Sequence, residues 1–225
     1  MQTVKDRLLD AQRKADLLFK EVDRLDMIAP GKTEKEINTA VYDLAFGLFG
    51  IKKYWHKRIV RAGKNTLHPY HQNPPNLVVQ TNDIVFLDFG PVFEDWEADF
   101  GRTFVVGDDP AMKKVQQDIG LAFYEGKNYF KTQQDITAAE LYAFMQSMAV
   151  KYGWELGGRH CGHLIGKFPH ERVEDHEICS YIHPENHRRL REPDVYGKAC
   201  HWILEVHFID RKKEIGGFTE ELLTL

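Results

Sequence analysis

The stretch from Ile84 to Val106, with the sequence IVFLDFGPVFEDWEADFGRTFVV, constrains the fold more than any other part of the chain. Apolar and β-branched residues dominate it and predict consecutive β-strands, yet Asp88 and Asp99 stand inside its apolar runs. Burying a carboxylate is costly unless a cation or several hydrogen-bond donors compensate its charge. The two aspartates therefore indicate a bound metal. The alternative is a pair of strand-end carboxylates that accept hydrogen bonds from the backbone or from Arg102.

The length of 225 residues permits one large hydrophobic core without disulfides or metal staples. We therefore predict a single domain over residues 1–225. The formal net charge is -4, and basic and acidic residues are mixed along the whole chain. Because no basic stripe with interleaved aromatic residues is present, we expect no nucleic-acid partner and a small ligand instead.

Cysteine usage and the N-terminal sequence indicate the cellular compartment of the protein. The three cysteines, Cys161, Cys179 and Cys200, are odd in number and never in C-x-x-C spacing, which argues against a disulfide framework and a thiolate zinc site. The N-terminal segment is amphipathic and charged throughout, and no apolar run reaches the length of a membrane span. We therefore expect a cytoplasmic protein with no membrane partner.

The first half of the chain predicts two helices followed by strands. Apolar residues recur at three- and four-residue spacing from about residue 3 to 27, which is typical of an amphipathic helix. Thr33 and Glu36 form a T-x-x-E capping box that opens a second helix through about Leu48. Residues 51–60 have strand character. The turn-forming, histidine-bearing residues 63–75 predict an ordered loop that faces a site.

The second half repeats this order of elements. A helix is predicted from about Ala111 to Phe130, and Thr137 with Glu140 forms another capping box before a helix to about residue 152. A glycine- and histidine-bearing strand region (156–166), a long polar segment and two closing strands (201–209 and 215–225) follow. The repetition predicts an α+β fold with two pseudo-symmetric α-α-β-β halves, at about residues 1–107 and 108–225.

The repetition also predicts where further acidic residues meet the two aspartates. If the halves correspond, the closing hairpin matches the hairpin of Asp88 and Asp99, and it carries Glu205 inside WILEVHF and Glu220 inside GGFTEELL. Four carboxylates then converge from two hairpins. Hard oxygen ligands with an imidazole suit manganese, iron, cobalt or zinc in a two-metal hydrolytic site.

Other catalytic chemistries lack their motifs. Serine occurs only at positions 147 and 180, and neither stands in a G-x-S-x-G nucleophile elbow. His170 and Glu171 begin an H-E-x-x-H pattern, but Glu174 replaces its second histidine. Neither a phosphate-binding loop nor a dinucleotide-binding glycine pattern is present, so a metal site is the chemistry that the sequence favours.

Taken in chain order, these residues resemble one family. Asp88, Asp99 followed by R-T-F, the segment GHLIGKFPHE with His163 and His170, Glu205 and a terminal-strand glutamate resemble the pita-bread metallopeptidases. That family includes methionine aminopeptidase, Xaa-Pro aminopeptidase, prolidase and creatinase, and the resemblance covers essentially the whole chain. The D-x-G and D-x-x-R-T-F patterns and the seven-residue step between the histidines are more similar to the Xaa-Pro aminopeptidase branch.

The resemblance implies a fold, a metal cofactor and ligand roles. The fold is a curved antiparallel sheet between the two halves, and the cofactor is two divalent metal ions, manganese first and cobalt, zinc or iron as alternatives. Asp88 chelates one ion and Asp99 bridges both. His163 and Glu205 bind the second ion, and a terminal glutamate bridges again. Glu220 is the predicted residue and Glu221 the alternative, because a slip of one residue turns a strand side chain to the opposite face.

The resemblance also implies a reaction. A metal-bridging hydroxide attacks the N-terminal peptide bond of a short peptide, as in an Xaa-Pro aminopeptidase or dipeptidase, with Glu205 as general base. His71 and His170 donate hydrogen bonds to substrate and oxyanion, and His160 lines the substrate pocket. His68 is the alternative to His71, because two ways of counting along the loop disagree. A homodimer is compatible with this family. Creatinase-like hydrolysis of a small C–N bond and a non-catalytic binding module remain open.

Overall fold

The computed structural model describes residues 2–169 and 178–225 of the chain. These residues form helices and strands in an order that repeats, with short 3-10 turns at Gly63–Leu67 and Ile178–Ser180. In chain order the elements are α1 (Val4–Arg24), α2 (Glu34–Phe49), β1 (Ile59–Ala62), β2 (Asp83–Phe89), β3 (Val92–Phe93), β4 (Trp96–Glu97), β5 (Phe100–Val106), α3 (Pro110–Thr132), α4 (Ala138–Tyr152), β6 (Glu155–Leu156), β7 (Leu164–Ile165), β8 (His201–Asp210) and β9 (Ile215–Leu222).

Capping residues start the second helix of each half where the sequence predicts. The Thr33 hydroxyl accepts a hydrogen bond from the Glu36 backbone N–H at 3.2 Å, and the Glu36 carboxylate accepts one from the Thr33 N–H at 2.8 Å. Thr137 and Glu140 form the same reciprocal pair at the start of α4. These contacts satisfy backbone donors that have no partner within the helix.

The sheet joins the two halves of the chain at its centre. Its strand order is β1-β2-β5-β9-β8-β6, all pairs are antiparallel, and β7 pairs with β8 away from this path. The order β1-β2-β5 in the first half thus mirrors β6-β8-β9 in the second. The predicted α+β architecture of two pseudo-symmetric halves is confirmed, and β5 and β9 meet where those halves meet.

Side-chain alternation gives the sheet a helix-packed face and a cleft face. Val85, Leu87 and Phe89 of β2 pack in one buried cluster with apolar residues of α1 and α2. Leu204 and Phe208 of β8 belong to a second cluster with α3 and α4. Because successive side chains of a strand point to opposite faces, the residues between these positions face away from the helices. The fold therefore covers one face with helices and leaves the other for a site.

Three segments differ from the sequence prediction. Residues 51–58 are not part of a strand, and β1 begins at Ile59. Residues 51–58 instead run beside residues 90–92 through isolated backbone contacts, such as the hydrogen bond from the Trp55 N–H to the Gly90 carbonyl at 2.9 Å. Asp99 lies just before β5 and not inside it. The predicted strand region 156–166 holds only the end of β6 (Glu155–Leu156) and the two-residue β7, because glycines interrupt it; Gly162 has a φ of 143°. Among the described helices, none has the length and apolar character needed to cross a bilayer.

Candidate metal centre

Four carboxylates converge on the cleft face where the two hairpins meet. In the sheet register Asp88 lies opposite Gly101, Gly101 opposite Glu220, and Glu220 opposite Glu205. Directly opposite residues point to the same face of a sheet, so these side chains share one site. Asp99, two residues before Gly101, joins them. Asp88, Asp99 and Glu220 are buried, with 8%, 4% and 2% exposure.

His163 lies in the loop before β7 with its imidazole against this cluster. Its Nδ1 donates a hydrogen bond to the Leu164 carbonyl at 2.8 Å. Its Nε2 lies 3.1 Å from Oδ2 of Asp99 and 3.8 Å from an oxygen of each of Glu205 and Glu220. The backbone contact orients the ring, so Nε2 is the atom that faces the carboxylates.

His56 is a member of the cluster that the sequence reasoning missed. Its Nε2 lies 3.0 Å from Oδ1 of Asp99 and 3.5 Å from Oδ1 of Asp88, and its side chain is 6% exposed. Sequence spacing carries no signal for this contact, because 43 residues separate His56 from Asp99. The one local sign is a histidine in the segment YWHKR, placed directly before a strand of the sheet.

The donor atoms form two overlapping groups. His56, Asp88 and Asp99 make one group, and Asp99, His163 and Glu220 make the other; within each group the ligand atoms lie within 4.8 Å of one another. Asp99 belongs to both. A carboxylate shared between two clusters of oxygen and imidazole donors is the arrangement that a pair of divalent ions requires.

Electrostatics within the cluster favour added positive charge. Burial raises the pKa of Asp88 to about 7 and that of Glu205 to about 7, and it raises the pKa of Glu220 well above its ordinary range. Burial opposes a charged His56 imidazole, but Asp99 and Asp88 overcome this effect and raise its pKa to about 9. Two imidazolium groups cannot balance four carboxylates, whereas two divalent cations can. The residues present therefore fit a dinuclear site.

The register of β9 distinguishes the two candidate glutamates. Glu220 lies beside His163 in the cluster. The carboxylate of Glu221 forms an ion pair with Arg102 and accepts a weak hydrogen bond from Gln12 at 3.5 Å. Because adjacent strand residues face opposite sides of the sheet, Glu221 is directed away from the other carboxylates.

His160 lies next to the cluster, at the position expected of a pocket residue. Its Nδ1 is 3.5 Å from Oε1 of Glu205, and its ring packs against Tyr181 with centroids 4.7 Å apart. Burial lowers the pKa of His160 to about 3, and the charge of His163 acts in the same direction. His160 is therefore a neutral imidazole at physiological pH.

The predicted loop histidines have different positions. His71 is exposed and lines the cleft. The alternative, His68, is half-buried, and its Nδ1 contacts the side-chain oxygen of Gln72. His170 lies outside the described residues. The structure thus brings together the five predicted metal ligands, places His160 beside them, and sets both loop histidines along the wall of the cleft.

The cluster lies in a cleft of about 1110 Å³. Carboxylates and histidines line one part of this cleft, while Ile59, Phe86 and Phe218 form an apolar wall. A polar reactive centre beside an apolar wall is typical of a pocket that orients a small organic substrate.

Residues 6–198 match the description "Metallopeptidase family M24". The chain belongs to metallopeptidase family M24. This M24 chain is 31% identical over 172 residues to the Xaa-Pro dipeptidase of Lactobacillus helveticus, covering 73% of the chain and 44% of that relative. It is 26% identical over 173 residues to the Xaa-Pro dipeptidase of Pyrococcus horikoshii, covering 76% and 48% respectively. The chain thus spans less than half the length of these curated relatives.

Solved structures share the fold of the M24 chain at low sequence identity. The prolidase of Thermococcus sibiricus superposes with a TM-score of 0.75 at 23% identity, covering 95% of the chain and 53% of the prolidase. The methionine aminopeptidase of Rickettsia prowazekii superposes with a TM-score of 0.74 at 17% identity, covering 100% and 99%. The predicted family resemblance and pita-bread fold are confirmed.

Proposed function

We propose that this M24 chain is a dinuclear-metal-dependent exopeptidase that hydrolyses the N-terminal peptide bond of short Xaa-Pro peptides. One observation carries the proposal: two groups of ligand atoms overlap at Asp99 in the polar part of a cleft. The names of the relatives point to the Xaa-Pro bond as the substrate class.

The predicted ligands fall into two groups, one for each ion. Asp88 and Asp99 would hold one ion, and His163, Glu205 and Glu220 would hold the other, with Asp99 and Glu220 shared by both. Bound divalent ions polarise a scissile carbonyl and lower the pKa of a water molecule to near neutrality. Manganese is the first choice because carboxylate oxygens outnumber nitrogens in this set, with cobalt, zinc and iron as alternatives.

Neighbouring residues move protons and orient the substrate. Glu205 faces the cleft, where it accepts a proton from the attacking water and returns it to the leaving amine. The His160 imidazole, 3.5 Å from Glu205, lines the same space as a substrate-binding group. His71 stands on the cleft wall as a hydrogen-bond donor to the substrate. His170 keeps its predicted role as a donor to the tetrahedral oxyanion.

The cleft suits a short substrate. Its apolar wall of Ile59, Phe86 and Phe218 accepts an uncharged side chain or a proline ring beside the carboxylates. The odd number of cysteines and their lack of C-x-x-C spacing in the sequence fit a reducing compartment, so we place the activity in the cytoplasm. On the basis of the family resemblance, we propose that the chain assembles as a homodimer.

A substrate panel tests the proposal. The full chain is stripped with a chelator, reloaded with Mn²⁺ and incubated with Ala-Pro, an Xaa-Pro tripeptide, a methionyl peptide and creatine. We expect release of the residue before proline, and loss of that activity in Asp99→Asn. Asp108→Asn, which alters an exposed carboxylate paired with Lys113, is the matched control.

Each other outcome contradicts the proposal in its own way. Turnover of creatine alone would favour hydrolysis of a small C–N bond. Absence of bound transition metal, with Asp99→Asn indistinguishable from the parent chain, would favour a binding module without catalysis. Cleavage of methionyl peptides alone would move the substrate class away from Xaa-Pro bonds.

A further inference from the structure

The imidazole rings of His56 and His163 have the same orientation toward the carboxylate cluster. In each case Nδ1 contacts the backbone carbonyl of the following residue at 2.8 Å. In each case Nε2 faces the Asp99 carboxylate, with His56 at 3.0 Å from Oδ1 and His163 at 3.1 Å from Oδ2. The two imidazoles therefore approach the two oxygens of one carboxylate, and each is oriented by a backbone contact.

This geometry makes each Nε2 a metal-donor atom. A carbonyl oxygen only accepts hydrogen bonds, so Nδ1 of His56 carries a proton. In the neutral imidazole, Nε2 then presents a lone pair toward the oxygens of Asp99 and Asp88. Lone pairs at such distances repel one another unless a proton on Nε2 or a metal cation lies between them. A backbone carbonyl that orients Nδ1 and leaves Nε2 free is the usual support of a ligating histidine.

We propose that His56 is a nitrogen ligand of the ion held by Asp88 and Asp99, so that each ion position has one imidazole. The inference rests on the dinuclear site of the proposed function and extends its ligand set. His163 supplies the nitrogen of one position, and His56 supplies the nitrogen of the other.

The surrounding residues hold His56 in this position. The Trp55 indole donates a hydrogen bond to the Ala98 carbonyl at 3.0 Å, and its ring packs edge-on against His56 with centroids 4.4 Å apart. Gly90 leaves the space that both rings occupy, because a Cβ at that position would lie 2.2 Å from Cδ2 of His56 and 2.4 Å from Nε1 of Trp55. The imidazole is thus part of a constructed pocket and not a surface side chain.

A nitrogen ligand at this position alters metal preference. Imidazole favours zinc, iron and copper, whereas an all-carboxylate position favours manganese or magnesium. Removing the imidazole should therefore weaken zinc binding more than manganese binding. A histidine that merely donates a hydrogen bond to Asp99 would affect both metals by the same factor, because it acts through the carboxylate and not on the ion.

Metal titration of the full chain separates these roles. His56→Gln keeps a side-chain N–H of similar reach but loses the imidazole donor. Isothermal titration with Zn²⁺ and with Mn²⁺ should show that this variant weakens zinc binding at one of the two positions by about tenfold or more. Manganese binding should weaken by a clearly smaller factor. His187→Gln, which changes an exposed histidine, is the matched control and should leave both affinities unchanged.

Equal weakening of both metals, or no change, would overturn the proposal. A second measurement needs no variant, so it stands even if His56→Gln fails to fold. X-ray absorption of the zinc-loaded parent chain counts imidazoles around zinc. One imidazole per zinc on average supports ligation by both His56 and His163. An average of about half that value would leave His163 as the one nitrogen ligand and overturn the proposal.

These readouts are independent of peptide hydrolysis. If the chain binds two ions with one imidazole each but cleaves no peptide, the proposed function fails and the assignment of His56 stands. If the chain cleaves Xaa-Pro peptides but His56→Gln weakens Zn²⁺ and Mn²⁺ binding by the same factor, the assignment of His56 fails and the proposed function stands.

Discussion

Glu205 and Glu220 lie directly opposite each other in the pairing of β8 with β9. Like charges at such positions repel, and burial makes the repulsion stronger. Burial raises the pKa of Glu205 to about 7, and burial together with the charges of Asp99 and Glu205 raises the pKa of Glu220 well above its ordinary range. The fold therefore pairs two acidic groups that require either protons or cations, and this requirement governs how stability and activity respond to pH, metals and substitutions.

The stabilisation that metal ions confer should grow as pH rises. Without ions, the raised pKa values of Asp88, Glu205 and Glu220 mean that folding takes up protons, so stability is lost as pH rises from the unfolded pKa near 4 toward about 7. His56 acts in the same direction, since its contribution is lost as pH rises through about 9. The pKa of Asp99 is lowered, so its effect lies at more acidic pH.

Thermal unfolding with and without Mn²⁺ measures this effect. The difference in Tm between the metal-loaded and chelator-treated chain should widen from about pH 5 to about pH 8, because cations replace protons in the cluster. A difference that stays constant or narrows over that range would contradict the account of four buried carboxylates neutralised by ions.

Two adjacent substitutions in β9 test the register of the terminal ligand. Glu220→Gln should lower metal affinity and peptide hydrolysis by about a hundredfold or more, because it removes a ligand charge beside His163. Glu221→Gln removes the partner of Arg102 and should change hydrolysis by less than about threefold. Titration calorimetry and initial rates measure both. A larger loss from Glu221→Gln than from Glu220→Gln would show that Glu221 is the ligand.

A methyl group at Gly90 should damage the site. Gly90→Ala places a Cβ 2.2 Å from the His56 ring, so we expect displacement of His56, loss of most activity and destabilisation by about 1–3 kcal/mol. Gly47→Ala is the matched control: it lies in α2 with open space around the added Cβ, and it should stabilise the helix by up to about 1 kcal/mol. Urea unfolding and activity measure both variants. Full activity in Gly90→Ala would contradict the packing of His56.

Glu34 should support the loop that carries the cleft histidines. This buried carboxylate accepts hydrogen bonds from the Ala62 N–H at 2.7 Å, the Asn65 amide at 2.9 Å and the Leu77 N–H at 3.1 Å. Glu34→Ala leaves these donors without that acceptor, so we expect a loss of about 2–4 kcal/mol in urea unfolding. Glu34→Gln keeps one acceptor oxygen and should lose less. Equal stability of Glu34→Ala and the parent chain would contradict this role.

Local signals made most of the fold predictable from sequence. Thr33 and Thr137 start helices through contacts that reach only three residues along the chain, so their capping boxes are visible in the sequence. The repeated order of helices and strands predicted that Glu205 and Glu220 on the closing hairpin would meet Asp88 on the first hairpin. These features depend on neighbours in sequence or on the repeated order of elements, and both are readable without a structure.

Tertiary contacts were not predictable in the same way. His56 reaches Asp99 because residues 51–58 run beside residues 90–92 through isolated hydrogen bonds, and the sequence predicted a strand for that segment instead. The choice between His68 and His71 depends on how a loop bends, which residue counting does not determine. The structure places both along the cleft, and their roles in catalysis stay predictions.

The dinuclear site is tested most directly by the rate of Ala-Pro hydrolysis as Mn²⁺ is titrated into the metal-depleted chain, with bound metal measured in the same samples. A dinuclear site predicts no hydrolysis without metal, a rise with occupancy and saturation at two ions per chain, since Asp99 belongs to both ligand groups. Hydrolysis that persists in the chelated chain, or a chain with both positions filled that leaves Ala-Pro intact, would contradict it.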